Sequence, residues 1–201
     1  MKCMTPLASL LCIVALSMGT PTRAWCQWSL GLGVEAERFW GGSLENGPEQ
    51  KSFRPYRPVV FAVGAEHRFG SLGLGLRVTY TEAALGLEGE DAVVAVKDAF
   101  EVIGLAPEVS YQIAALGPNR LALHAGPLIE FWHPVDAESR TRAGARGAAS
   151  LLVPLGGRFG LSVAGSLAVI PSPFNSDELL EQYERQTLWR RGFSGALQYL
   201  F

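Results

Sequence analysis

Few residues in this chain have types and spacings that could do chemistry. Histidine, the usual general base near neutral pH, occurs only as His67, His124 and His133. His124 with Ser110 and Glu130 is nominally a base, a nucleophile and an acid, but nothing local ties the three together. Metal-ligand spacings, a phosphate-cradling glycine loop and a cysteine pair are absent, and Gly31-x-Gly33 and Gly73-x-Gly75 lead into no helix. What remains is charge set among apolar residues: Glu35, Glu66, Arg68, Arg77, Glu108, Glu130, Arg142 and Arg146. Charges placed one by one in greasy stretches do ion-pair chemistry, because an unpaired charge away from water is costly. No catalytic residue, metal site or cofactor is expected from this set.

These residues belong to eight stretches with a period of two, the signature of half-buried strands. In 28–39, Leu30, Leu32, Val34 and Ala36 oppose Gly31, Gly33, Glu35 and Glu37; in 58–69, Val59, Phe61 and Val63 oppose Glu66 and Arg68. Segment 72–81 alternates without fault, with Arg77 on its small, polar face. Segment 101–113 sets Ile103, Leu105, Val109 and Tyr111 against Glu108, Ser110 and Gln112, and Pro107 within it predicts a bulge or a weakly paired site. Segment 121–132 places His124 and Glu130 opposite Leu123, Ile129 and Phe131. The least hydrophobic, 139–153, has Ala143, Ala145 and Ala149 against Arg140, Arg142 and Arg146. Segments 159–170 and 193–201 complete the set. Between them long connections (41–57, 82–98, a shorter 133–138, and 171–187) alternate with turns at Gly70-Ser71, Gly117-Pro118-Asn119 and 154–157. Val93, Val94 and Val96 leave open a longer strand, and Ser176, Asp177 and Glu178 suggest a helical turn.

Composition bounds the function. The 201 residues include 23 glycines and 48% hydrophobic residues, which suits one strand-rich and turn-rich domain. Residues 1–26 read as a secretory leader, with Lys2 as its positive start, an apolar run over 7–18 and cleavage after Ala24 or Cys26. Residues 27–201 then form the mature domain. Without Lys2 and Arg23 the chain has 15 basic and 19 acidic residues, which argues against nucleic acid as a partner. Only Cys26 could outlast the leader, so no internal disulfide is expected, and Arg23-Ala24-Trp25 does not suit lipid attachment at Cys26.

The last stretch places Phe193, Leu197, Tyr199 and Phe201 on one face and Ser194, Ala196 and Gln198 on the other. This pattern resembles the C-terminal strand of bacterial outer-membrane β-barrels. With the eight segments and alternating connections, the chain resembles the small eight-stranded outer-membrane proteins of OmpA-like and OmpX-like kind. The resemblance implies an all-β, eight-stranded antiparallel up-and-down transmembrane β-barrel in the bacterial outer membrane, preceded by a cleavable signal peptide. It also implies a lipid surrounding, a monomer, and barrel-assembly machinery that reads Phe193, Leu197, Tyr199 and Phe201. Glu35, Glu66, Arg68, Arg77, Glu108, His124, Glu130, Arg142 and Arg146 would then face a narrow lumen as a charge network.

A plugged, non-enzymatic barrel acting through its loops in envelope integrity, adhesion or interaction is the expected function. A narrow conduit for small or hydrophobic solutes is the alternative. A soluble lipocalin-like barrel would share the period, but the Gly-x-Trp of that family is missing from the first strand and aromatics cluster at the strand ends. Neither His124 nor His133 starts the His-x-Ser pattern of outer-membrane lipid A deacylases.

Removing Phe201, or changing both Tyr199 and Phe201 to Ser, is expected to lower the amount of protein reaching the outer membrane. Membrane fractionation with heat-modifiable electrophoresis measures it; an unchanged yield of folded, membrane-borne double variant would contradict the assembly role.

Overall fold

The structure is a computed structural model, described here for residues 28–41, 43–45, 52–56, 58–88, 93–135, 138–173 and 183–201. The expected leader and the expected helical turn at 176–178 lie outside these residues. Every regular element among the described residues is a strand: β1 (Trp28–Trp40), β2 (Ser43–Glu45), β3 (Ser52–Tyr56), β4 (Val59–Phe69), β5 (Leu72–Glu88), β6 (Val93–Leu116), β7 (Asn119–Pro134), β8 (Arg140–Gly156), β9 (Phe159–Ile170), β10 (Tyr183–Arg185) and β11 (Leu188–Leu200).

Eight of these close into a barrel. Antiparallel pairing runs β1, β4, β5, β6, β7, β8, β9, β11 and returns to β1 through the ladder from Ser29↔Leu200 to Trp40↔Trp189. Closure leaves the wall no free edge, the condition under which a sheet can sit in lipid with its backbone satisfied. Tight turns at Gly70-Ser71, Gly117-Pro118 and Gly157-Arg158 join strands at one end, with Gly70 and Gly157 at φ 66° and 58°, a region L side chains avoid. Strand β8 runs on through Pro154 to Gly156, so this last turn is shorter than the sequence suggests, with a bulge between Pro154 and Gly156.

Side chains sort by parity. Leu30, Leu32, Val34, Phe61, Val63, Leu74, Leu76, Val109, Leu161 and Leu197 are exposed on the outside of the wall. An apolar surface of this extent around a closed barrel is one that lipid covers. Trp28, Phe69 and Phe201 lie at the turn end of this band and Trp40, Tyr80 and Phe131 at the loop end, forming the two aromatic girdles. A soluble lipocalin-like barrel is the inverse arrangement, with its charges outside.

The loop end differs from the expected plain connections. Segment 41–57 contains β2 and β3, and segment 171–187 contains β10. Strand β5 continues to Glu88 and β6 begins at Val93, which resolves the question raised by the valines in favour of a strand. These pieces form a sheet in the order β10-β2-β3-β5-β6 that continues the barrel wall beyond the apolar band. A ladder built on the protruding β5 gives these segments backbone partners that their own sequence pattern does not reveal.

The β6–β7 ladder is interrupted between Leu105↔Ile129 and Val109↔Ala125, where Pro107 stands opposite Pro127. Neither proline has an N–H to give. The strands still touch here: a side chain at Gly126 would run into the Pro107 carbonyl.

Arg at Leu76, on the lipid face, is expected to destabilise the barrel by ~2–4 kcal/mol if the site is near the bilayer midplane. Spin labels at Leu76, Val163 and Leu197 should be accessible to oxygen and shielded from a polar relaxant; the reverse pattern would exclude a lipid-facing surface.

Candidate functional site

The barrel interior is the place where functional side chains meet. Alternation sends Glu35 and Glu37 inward from β1, Arg77 from β5, Glu108 from β6, His124 and Glu130 from β7, Arg146 from β8 and Arg190 from β11. They form three levels.

The middle level centres on Glu35, only 1% exposed. Arg77 Nη2 donates to its Oε2 at 2.6 Å, Arg146 Nη2 reaches the same oxygen at 3.4 Å, and the Ser166 hydroxyl donates to Oε1. Arg146 Nη1 donates to Glu108 Oε1 at 2.6 Å, so one guanidinium ties two carboxylates together across the bore. Glu35 has room because of Gly192, where a Cβ would sit 2.7 Å from Ser166 Oγ and 2.9 Å from the Glu35 carboxyl carbon.

Below it, toward the turns, the lumen side chains are more exposed. Arg68 donates from Nε to Glu66 at 2.6 Å and from Nη1 to Gln112 at 3.1 Å. His124 Nε2 lies 2.8 Å from Ser150 Oγ, while its Nδ1 faces Glu108 at 3.7 Å and Glu66 at 3.9 Å. The suggested Ser110, His124 and Glu130 set is therefore not assembled. Ser110 is opposite His124 in the ladder, but its hydroxyl has no hydrogen-bond partner among the described residues, and Glu130 is engaged elsewhere. The carboxylates near His124 Nδ1 are too distant for a hydrogen bond.

Above the middle level, Arg190 Nη1 pairs with Glu130 at 2.6 Å and its Nε lies 3.4 Å from Glu37. Trp132 Nε1 donates to the other Glu130 oxygen at 3.1 Å, and the Arg190 guanidinium also lies over the Phe39 ring. Beyond this level the interior turns apolar: Phe39, Ala83, Phe100, Val102, Leu128, Trp132, Ile170 and Leu188 pack into a cap that fills the loop end of the bore. Trp132 stands edge-on to Phe100, ring centres 5.8 Å apart, and is 1% exposed. Pockets of about 30 Å³ near the turns and about 100 Å³ at mid-bore remain, room for a few waters.

Of the nine interior residues expected from sequence, Glu35, Arg77, Glu108 and Arg146 meet in the middle level, and Glu66, Arg68 and His124 in the lower one. Glu130 belongs to the upper one. Arg142 stands apart from all three: its Nε donates to the Ser172 carbonyl at 2.9 Å, bracing the chain where it leaves β9. Glu130, its opposite in the β7–β8 ladder, takes Arg190 instead. A period-two pattern that starts at Phe193 leaves out Arg190 and Leu188, and with them the apolar cap. Extending its alternation back from Ser194 puts Gly192, Arg190 and Leu188 inside.

With this geometry in view, solved structures of low sequence identity share the fold. Neisserial surface protein A (NspA) matches at TM-score 0.59 and 9% identity, covering 89% of this chain and all of that one. The outer membrane protein OprG from Pseudomonas aeruginosa matches at TM-score 0.56 and 10% identity, covering 88% and 97%. No protein-family model matches the sequence, and no curated protein does.

Glu35→Ala leaves Arg77 and Arg146 buried without their shared carboxylate and is expected to cost about 3–5 kcal/mol. Arg68→Ala, at the more exposed end, should cost about 1 kcal/mol or less. Urea unfolding of both variants in lipid, followed by heat-modifiable migration, checks the order; equal midpoints would contradict the central role of Glu35.

Proposed function

We propose that this eight-stranded outer-membrane-type β-barrel is a non-catalytic, plugged barrel that acts through its loop end, in envelope integrity, adhesion or another interaction. What supports this reading is the ion-pair cluster at mid-bore, followed toward the loop end by the apolar cap around Trp132. Eight strands enclose little more than their own inward side chains, and here most of the inward charges pair with one another. The sheet β10-β2-β3-β5-β6 is then the surface this chain adds to a bare barrel. Long connections outside and short turns in the periplasm would set that sheet on the cell exterior. The barrel works as a monomer in this reading, since the closed wall needs no partner to complete it, and depends on assembly machinery for insertion.

One observation favours a second reading, a route for hydrophobic solutes through the wall. Where Pro107 faces Pro127 the two strands are held by contact and not by ladder bonds, so this is the place where β6 and β7 would part most easily.

In a planar bilayer the wild-type barrel is expected to show only small or rare conductance. Arg77→Ala with Arg146→Ala should raise it, and adding Trp132→Ala should raise it further by thinning the cap. Large, steady wild-type conductance or sugar permeation into liposomes would overturn the plugged reading. For the second reading, a Pro107→Cys, Pro127→Cys pair should reduce uptake of an apolar dye when oxidised and restore it when reduced; no change on oxidation excludes the seam as a route.

A further inference from the structure

On the outer surface of β1 and β11 the cross-strand pairs run Leu30↔Tyr199, Leu32↔Leu197, Val34↔Gly195 and Ala36↔Phe193, all without charge. The next outward pair is Arg38↔Arg191, and the last is Trp40↔Trp189. Both arginines are exposed, and among the described residues neither has a carboxylate partner. Two like charges directly opposite on one face of a sheet repel one another. The acidic counterpart at this end, Glu82↔Glu101 on β5 and β6, has the Tyr80 hydroxyl donating to Glu82 at 2.7 Å. The arginine pair has no such internal relief, only the Arg191 guanidinium lying 5.9 Å from the centre of the Trp40 ring.

Depth decides what relieves it. Arg38 is ten residues along β1 from Trp28, which marks the opposite girdle. At about 3.3 Å per residue and a tilt near 40°, this is a rise of ~25 Å, the height of the apolar band of such barrels. The two guanidinium groups therefore stand where hydrocarbon gives way to headgroups, on the wall and not in a loop. Guanidinium forks match phosphate oxygens in pairs. Just beyond them Trp40 and Trp189 stack with ring centres 6.4 Å apart and planes 10° from parallel, giving flat aromatic surface at headgroup depth. Flat indole faces pack against the C–H faces of sugar rings, which a plain glycerol phospholipid does not offer.

We infer that Arg38 and Arg191, with Trp40 and Trp189, form a lipid-facing site for the phosphorylated sugar headgroup of a glycolipid in the leaflet at the loop end. The phosphate sits between the two guanidiniums and cancels their repulsion, and the indoles cover the sugar. The acyl chains then run down the apolar pairs of β1 and β11 below.

Native mass spectrometry of the refolded barrel, released from detergent micelles doped with one lipid at a time, tests this. The wild type is expected to retain diphosphoryl lipid A, and to retain its dephosphorylated form and phosphatidylglycerol much less. Inorganic phosphate should not displace the bound lipid. Arg38→Gln with Arg191→Gln should lose the adduct roughly tenfold or more, as the loss of charge-assisted bonds implies, while migrating as a folded barrel. Arg38→Lys with Arg191→Lys should keep part of it, and Trp40→Leu should weaken lipid A retention without changing that of phosphatidylglycerol. Equal retention by the glutamine double variant, or equal retention of phosphatidylglycerol and lipid A by the wild type, would overturn the site. If the glutamine pair does not refold, the single Arg191→Gln variant and the salt dependence of wild-type retention give the same decision: retention unaffected by either overturns it.

Discussion

Lipid offers a backbone nothing to hydrogen-bond with, and this constraint governs the rest of the molecule. A strand in such surroundings needs a neighbour on both sides, so the ladder has to close, here by joining β11 to β1 along twelve residue pairs. Closure fixes which way each side chain points. With eight strands, the inward half of every strand enters a space that holds side chains and little else. Charges sent into that space have little water to fall back on and must find each other, which is why Glu35, Arg77, Arg146 and Glu108 are drawn into one cluster. The outward half is bound by the opposite demand and is apolar, with charge returning only where the band ends.

The interior is graded along its axis. The turn end is polar, the middle is ionic, and the loop end is a packed apolar core like that of a soluble domain. Arg190 sits at the boundary, bound to Glu130 and Glu37 and lying over Phe39, so one side chain joins the ionic and apolar parts. Ionic and apolar packing thus follow one another along the bore. The cap also gives the protruding ends of β5, β6 and β7 a firm base. The β6–β7 ladder lapses at the proline pair, which lies next to Gly126, whose missing side chain lets the strands approach.

The outside of the barrel is uneven as well. Around the loop end an arginine pair on β1 and β11 contrasts with a glutamate pair on β5 and β6, each formed by direct cross-strand opposition. Such pairs cost stability unless something in the surroundings answers them.

Much of this was legible in the chain itself. Alternation is a local property, so the sequence determined that there are eight wall strands, which face of each is apolar, that 72–81 presents Arg77 opposite Leu76 and Val78, and that Phe193, Leu197, Tyr199 and Phe201 look outward. It also marked the tight turns, because glycine at a left-handed position leaves a local trace. Partner choice across the bore left no such trace. Glu35 and Arg146 are 111 positions apart, and whether they meet depends on the stagger of every strand between them. For the same reason only the tertiary structure decided that Glu130 takes Arg190 and not Arg142, that His124 bonds Ser150 and not Ser110, and that the inward residues of six strands gather at the loop end into a cap. The loop-end sheet was hidden for a related reason: above the lipid, one face no longer has to be greasy, so the alternation that announces a strand is lost while the backbone ladder continues.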